Sequence, residues 1–163
     1  MNSPLLAVEN LRVAFGPRQR ARPAVADVSF TVQAGESVGL VGESGCGKST
    51  TARALLRLLP RQGGLIRFGG RDIDALRGAA LRNFRRQAQI IFQDPFGSLN
   101  PRLTIGAALS EPLRVHFGLS AAQCRPRVMD LLRAVELEPA AARRYPHEFS
   151  GGQRQRIGIA RAL

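Results

Sequence analysis

Short apolar runs separated by polar turns predict the strands of this chain. Residues 5–15 (LLAVENLRVAF) and 24–32 (AVADVSFTV) flank the polar GPRQRARP, and their Val, Phe and Thr predict a pair of antiparallel strands. The apolar run at residues 37–42 (SVGLVG) is typical of a strand buried on both faces. Glycine pairs around residues 63–73 (GGLIRFGGRDI) predict a short strand and a turn. Residues 89–92 (QIIF) predict a second buried strand.

Helical spacing dominates elsewhere in the chain. After the glycines, KSTTARALLRLLP carries alanine and leucine on one helical face, and Pro60 is expected to stop that helix. A further helix is predicted over ALRGAALRNFRRQ. Beyond QDPFGSLNPR the pattern predicts two amphipathic helices, Ile105–Phe117 and residues 121–137, the second with Pro126 near its start. We therefore place a subdomain boundary near Asp94.

Composition narrows the class without deciding the function. A chain of 163 residues with 44% hydrophobic positions is long enough for one domain, or part of one. It has no apolar run of 18 residues and no signal-peptide pattern at its start, which predicts a cytosolic protein. Cys46 and Cys124 lie far apart without a neighbouring His cluster, so both are expected to be free thiols. The net charge of +12 could indicate an acidic partner, but the arginines are spread along the chain, which favours a solvated surface.

The stretch GESGCGKST contains Lys48, the only lysine in the chain. Gly42, Gly47, Lys48 and Ser49 fit the pattern G-x-x-x-x-G-K-[ST]. Phosphate oxygens need several backbone N–H groups at close range, which calls for glycines and a helix N-terminus. A compact, flexible ammonium can reach the β- and γ-phosphates, and the serine hydroxyl can bind Mg²⁺. The alternative is a glycine turn with a surface lysine. Cys46 is interpreted as a spacer in the loop, with a reactive thiol as the alternative.

Three further stretches carry candidate chemistry. Phe15 could stack on a purine, although an aromatic side chain at a strand end is more often part of the core. Gln93 follows the predicted strand at residues 89–92, at the end where α/β folds hold ligand groups. In FSGGQRQRIGIARAL, Ser150 and two glycines open an amphipathic helix, which is a second candidate anion site. Two anion sites in one chain indicate one shared ligand.

These motifs together resemble an ATP-binding subunit of an ABC transporter. GESGCGKST resembles the Walker A motif, Gln93 the Q-loop, and FSGGQ the signature, with Phe149 in place of the commoner leucine. QDPFGSLNPR and YPHEFSGGQRQRIGIARAL are similar to the dipeptide and oligopeptide importer branch. The resemblance covers residues 15–163. It implies an α/β P-loop NTPase of the ABC ATPase type, with an antiparallel β subdomain and an α-helical subdomain, incomplete at the C-terminus.

The resemblance also implies a division of the chain and a set of site residues. Residues 1–94 would be the first part of the nucleotide-binding core, 95–148 the α-helical subdomain, and 149–163 the signature with the start of its helix. Lys48 and Gln93 would serve catalysis, and Ser49 and Gln93 would bind Mg²⁺. The residues expected to contact ATP are Phe15, Gly42, Ser44, Gly45, Cys46, Gly47, Lys48, Ser49, Thr50, Ser150, Gly151, Gly152 and Gln153.

In that family, ATP lies between the P-loop of one subunit and the signature of another. The resemblance therefore implies a homo- or heterodimer. Phe15 would lie against adenine, and Ser150, Gly152 and Gln153 would face the γ-phosphate bound to the partner subunit. The loop of Gln93 would meet membrane permease subunits, which puts the protein on the cytoplasmic face of the membrane. The cofactors implied are ATP and Mg²⁺.

The family's next parts are an apolar strand ending in Asp-Glu, the D-loop and a switch histidine, and the sequence stops at Leu163 before them. Phosphoryl transfer relies on those groups, so whether this chain hydrolyses ATP stays open. We expect the native reading frame to have continued. The leading hypothesis is a truncated ATP-binding subunit of a peptide-type importer. The alternatives are a non-transport ABC ATPase acting on nucleic acid, against which QDPFGSLNPR argues, and a non-enzymatic nucleotide-binding remnant.

Overall fold

The computed structural model describes residues 3–16 and 22–163, without the side chains of residues 95 and 96. The chain divides into two compact units, Met1–Ala88 and Gln89–Leu163. The sequence boundary was placed six residues later, near Asp94. The helices and strands below are numbered in chain order across both units.

The first unit is built on an antiparallel sheet. Its strands are β1 (Leu6–Phe15), β2 (Arg22–Val32), β3 (Gly63–Phe68) and β4 (Arg71–Asp72), and their order across the sheet is β2-β1-β3-β4. All three neighbouring pairs are antiparallel. The predicted strand pair at residues 5–15 and 24–32 is therefore confirmed, as is the short strand and turn around residues 63–73.

In its described residues the first unit also contains two α-helices, α1 (Lys48–Leu55) and α2 (Gly78–Gln87), and a 3₁₀ turn at Ile73–Ala75. The helix predicted up to Pro60 ends earlier, with Leu56 as its C-cap. The sheet and both helices share one buried cluster, so burial of apolar area holds these elements together. Its members are Val8, Leu11, Val13, Val25, Ala54, Ile66, Ile73 and Phe84.

Pairing between β1 and β2 is interrupted by a bulge next to Ala24. Val13 pairs with Val25, whereas Ala14 pairs with Pro23, so β2 carries one extra residue at this point. A bulge bends its strand and turns the extra residue out of the ladder. The backbone of Ala24 is consequently available for contacts outside the sheet.

Two predicted buried strands are wrong. In the described part of the first unit, residues 37–42 form no strand, and Val41 is 90% exposed. Residues 89–92 in the second unit also form none, and Ile91 is about half exposed. A buried strand needs a ladder partner on each side to satisfy its backbone. The four described strands pair with one another and not with residues 37–42 or 89–92. The apolar side chains of these two segments therefore stay at the surface.

The second unit is helical in its described residues. Its elements are α3 (Pro95–Ser98), α4 (Ile105–Phe117), α5 (Ala121–Ala134), 3₁₀ turns at Pro139–Arg143 and Pro146–Glu148, and α6 (Gly151–Ala162). The prediction for α4 is confirmed, and α5 ends three residues before its predicted end. Thr104 caps α4, and Ser120 caps α5 with a capping box.

The core of the second unit joins α4, α5 and α6. Ile105, Leu109 and Leu132 are fully buried there, together with Ile157 and Ala160 from α6. The buried face of α6 fixes this helix within the unit, so the residues at its start are held on a rigid element.

Candidate functional site

Helix α1 begins without a side-chain cap. Its N-cap is Gly47, in the left-handed conformation with φ 98° and ψ 4°, and no side chain accepts a hydrogen bond there. The carbonyl of Gly47 accepts from the amide of Thr51 at 2.8 Å. The first amides of a helix have no intrahelical acceptor, and the helix dipole favours an anion beside them. The start of α1 therefore offers N–H donors to a ligand rather than to its own side chains.

The ammonium of Lys48 lies over the loop that precedes α1. Its Nζ donates to the carbonyl oxygens of Gly42 and Glu43, at 2.7 Å each, and lies 3.6 Å from the sulfur of Cys46. The structure thus brings Gly42, Cys46 and Lys48 together, and their contact with ATP stays a prediction. A positive charge and a row of amides in one loop fit the phosphate chain of a nucleotide.

Gly47 is required by close packing as well as by its backbone angles. A Cβ on this residue would lie 2.3 Å from the carbonyl oxygen of Ala24 and 3.3 Å from Val25. Only glycine permits this approach, and its φ of 98° also lies in the left-handed region. The bulge of β2 thereby holds the loop before α1 in place. This contact was missed from the sequence, since nothing in the letters links residue 24 to residue 47.

A cleft of about 360 Å³ lies beside Lys48, between the loop and β2. Apolar side chains of Val28, Leu40 and Val41 line much of it, and Thr51 is also among its lining residues. Ser49, in the first turn of α1, is exposed, and Ser44 and Gly45 lie in the exposed turn before it. The hydroxyl of Ser49 could therefore bind a metal ion held by a nucleotide.

Phe15 is the last residue of β1 and is 50% exposed. It pairs with Arg22 of β2 and follows Val13 by two residues, so both side chains point to the same face of the sheet. Val13 belongs to the same buried cluster as Ala54 of α1. The aromatic ring thus extends the face on which α1 lies, and its role against a purine stays a prediction.

The signature residues form the capped start of α6. The hydroxyl of Ser150 accepts from the amide of Gln153 at 3.3 Å, and the side chain of Gln153 accepts from the amide of Ser150 at 3.0 Å. Both bonds use side-chain oxygens as acceptors. The hydroxyl hydrogen and the side-chain NH₂ are donors that this capping box does not use. Gly151 and Gly152, at the first positions of the helix, are exposed.

The segment before the signature is fixed by charged contacts. The guanidinium of Arg144 lies 4.3 Å from the ring centre of Phe149, which is buried in the core. The carboxylate of Glu148 accepts from the amide of Tyr145 at 2.6 Å. This hydrogen bond, with the nearby charge of Arg144, lowers the pKa of Glu148 below its ordinary value of 4.5, against a smaller opposing effect of desolvation.

Gln93 belongs to the second unit and lies in an exposed bend. Ser49 belongs to the first unit, so their shared role at Mg²⁺ stays a prediction. Among residues 3–16 and 22–163, no group of three or more His, Cys, Asp or Glu could hold a metal ion. Cys46 and Cys124 are both free, as expected. Within the described residues, no helix has the length and apolar character needed to cross a membrane.

The fold of this chain is similar to that of solved proteins. Solved structures with the same fold include the dimeric ATP-binding cassette MJ0796 in a post-hydrolysis state bound to ADP and Pi. It shares 29% identity with a TM-score of 0.83, covering 97% of this chain and 68% of that one. CbiO1 from Clostridium perfringens, part of the ABC transporter complex CbiONQ, has a TM-score of 0.77 and 26% identity, covering 99% and 62%. The fold is that of an ABC ATPase cassette.

The family follows from the sequence matches. The family model described as ABC transporter matches residues 25–163. The glutathione import ATP-binding proteins GsiA of Pectobacterium atrosepticum and Escherichia coli K12 are each 54% identical over 98% of the chain. The chain spans 27% of the length of these relatives. It belongs to the ABC transporter family, and the resemblance drawn from its motifs is confirmed.

Proposed function

We propose that this chain binds MgATP as part of the ATP-binding subunit of an ABC importer for peptide-like solutes. The observation that carries the proposal is the loop around Lys48, where an ammonium and the uncapped amides of α1 converge. The phosphates would be held by the amides of Gly45, Gly47 and Ser49, and by Lys48. The hydroxyl of Ser49 would bind Mg²⁺, which screens the phosphate charge.

The start of α6 supports a second contact to nucleotide. The donors at its start that the capping box leaves unused are the hydroxyl of Ser150, the NH₂ of Gln153 and the backbone amides of Gly151 and Gly152. All of them suit a phosphate and none carries a negative charge. In the proposed arrangement they approach the γ-phosphate held by the P-loop of another ATP-binding subunit. MJ0796, whose cassette is dimeric in its structure, is a precedent for such a pair.

The solute and the site of action rest on the relatives. The GsiA proteins are glutathione import proteins, and glutathione is a tripeptide, in line with the peptide-importer hypothesis. The proposed subunit acts on the cytoplasmic face of the membrane with permease subunits, which the loop of Gln93 would contact. Gln93 would also contact Mg²⁺ and the attacking water.

Nucleotide binding is tested by replacing the ammonium. Lys48→Ala should weaken MgATP binding by more than about tenfold, because the phosphate charge loses its only nearby cation from this loop. Lys48→Arg should restore it only in part, since the planar guanidinium fits the loop poorly. The matched control is Arg53→Ala, an exposed cation on the same helix. Calorimetry on folded protein is the measurement, and equal affinity in the parent and Lys48→Ala would remove the proposal.

A further inference from the structure

Beside the end of β1, the side chain of Gln62 makes the hydrogen bonds that the backbone of a neighbouring strand would make. The backbone ladder between β1 and β3 has its last pair at Arg12 and Gly63. One residue before Gly63, the amide of Gln62 donates to the carbonyl of Arg12 at 2.9 Å. Beyond this point the side chain of Gln62 continues the pairing with Ala14, which has no residue of β3 opposite it.

The side-chain amide of Gln62 makes both bonds of a strand pair. Its Oε1 accepts from the amide of Ala14 at 2.6 Å, and its Nε2 donates to the carbonyl of Ala14 at 3.0 Å. The N–H and C=O of one strand residue point to the same neighbouring strand. Ala14 is therefore held on one side by Gln62, while the other edge of β1 pairs with β2.

Ala14 directly precedes Phe15, the aromatic residue proposed to stack on the base. Half of the Phe15 side chain is exposed, so packing fixes it less firmly than the fully buried Val13. The direction of its ring depends on the backbone of β1 near its end. Hydrogen bonds on both edges of β1 fix that backbone, and those on the β3 side come from Gln62.

We propose that Gln62 is a positioning residue for base recognition, acting through the backbone of Ala14 on Phe15. The inference rests on the proposed function, because it needs a nucleotide at the loop of Lys48. In this proposal, Gln62 acts through its two bonds to the backbone of Ala14 and needs no contact of its own with the nucleotide. Its effect should appear in the binding of the base and not in the binding of the phosphates.

The test compares MgATP with inorganic tripolyphosphate and Mg²⁺, which has no base. Phe15→Ala should weaken ATP binding about tenfold, as for loss of one stacked base, and leave tripolyphosphate binding unchanged. Gln62→Ala should weaken ATP binding about threefold with the same selectivity. Gln62→Glu should act like Gln62→Ala, because its second carboxylate oxygen would face the carbonyl of Ala14. The control is Gln87→Ala, at the exposed end of α2, with no expected change.

A double substitution separates positioning from general damage. In the Phe15→Ala background, Gln62→Ala should change ATP affinity by less than about 1.5-fold, since its target is gone. An undiminished effect in that background, or equal losses for ATP and tripolyphosphate, would overturn the inference. So would an unchanged ATP affinity in Gln62→Ala. If the parent protein bound neither MgATP nor tripolyphosphate, the proposed function would be overturned as well. The failure of the inference about Gln62 is therefore distinguishable from the failure of the proposed function.

Discussion

The two helix starts that carry candidate site residues, one in each unit, are built in opposite ways. Helix α1 has glycine at its N-cap, in a left-handed conformation, and no side-chain cap. Helix α6 has serine at its N-cap and a complete capping box with Gln153. Both helices begin with exposed or half-exposed residues in glycine-rich sequence. A similar local composition therefore presents two different sets of hydrogen-bonding groups.

The difference lies in which groups remain for a ligand. At α1, the backbone amides are left for an anion, and Gly47 packs closely on the backbone of Ala24. At α6, side-chain oxygens satisfy two amides, and the donors that remain are the side chains of Ser150 and Gln153 and the amides of Gly151 and Gly152. We infer that α1 depends on its neighbours for stability, whereas α6 carries its own cap.

The largest expected effect comes from exchanging glycine for alanine at each helix start. Gly47→Ala should destabilise the first unit by about 2–4 kcal/mol, because its Cβ meets the carbonyl of Ala24 at 2.3 Å and its φ is positive. Gly151→Ala has open space around its Cβ and should lie within about 1 kcal/mol of the parent, on the stabilising side. Urea unfolding followed by circular dichroism, with hydrogen exchange of α1 and α6, measures both. Similar losses at the two positions would refute the comparison.

A smaller effect is expected from the two serines. Ser150→Ala removes the cap of α6 and should cost about 1 kcal/mol, with faster exchange of the first amides of α6. Ser49→Ala lies within the first turn of α1, where no side chain caps the helix, and should change stability by less than about 0.5 kcal/mol. The same unfolding measurements apply. A larger loss at Ser49 than at Ser150 would show that the caps have been assigned the wrong way round.

The smallest expected effect is the pH dependence of the turn that leads into α6. Because the hydrogen bond from Tyr145 lowers the pKa of Glu148, its stabilising contribution is present above 4.5 and is lost as the pH falls through the lower folded value. Exchange at Tyr145–Phe149 should rise in that acidic range. Glu148→Gln should remove this dependence and exchange faster than the parent at neutral pH. A parent profile that is flat below pH 4.5 would contradict the assignment.

The sequence was sufficient where the relevant signals are local. The loop of Lys48, the capped start of α6 and the hairpin of β1 and β2 each depend on residues near one another in the chain. Residues 37–42 and 89–92 misled, because an apolar run shows only that burial is favourable and not that a partner strand is present. Contacts between residues far apart in the sequence, such as Ala24 with Gly47, leave no local pattern in the sequence. They are visible only in the folded structure.

Lys48 also determines where amine-directed reagents and lysine-specific proteinases act on this chain. It supplies the only side-chain amine of the chain, and its Nζ is held by the carbonyls of Gly42 and Glu43. An acylating reagent directed at amines therefore modifies one internal position, and an endoproteinase specific for lysine cuts the chain at a single peptide bond, before Ser49. That bond lies in the first turn of α1. The rate at which this proteinase cuts the chain into two fragments therefore measures how accessible the loop of Lys48 is.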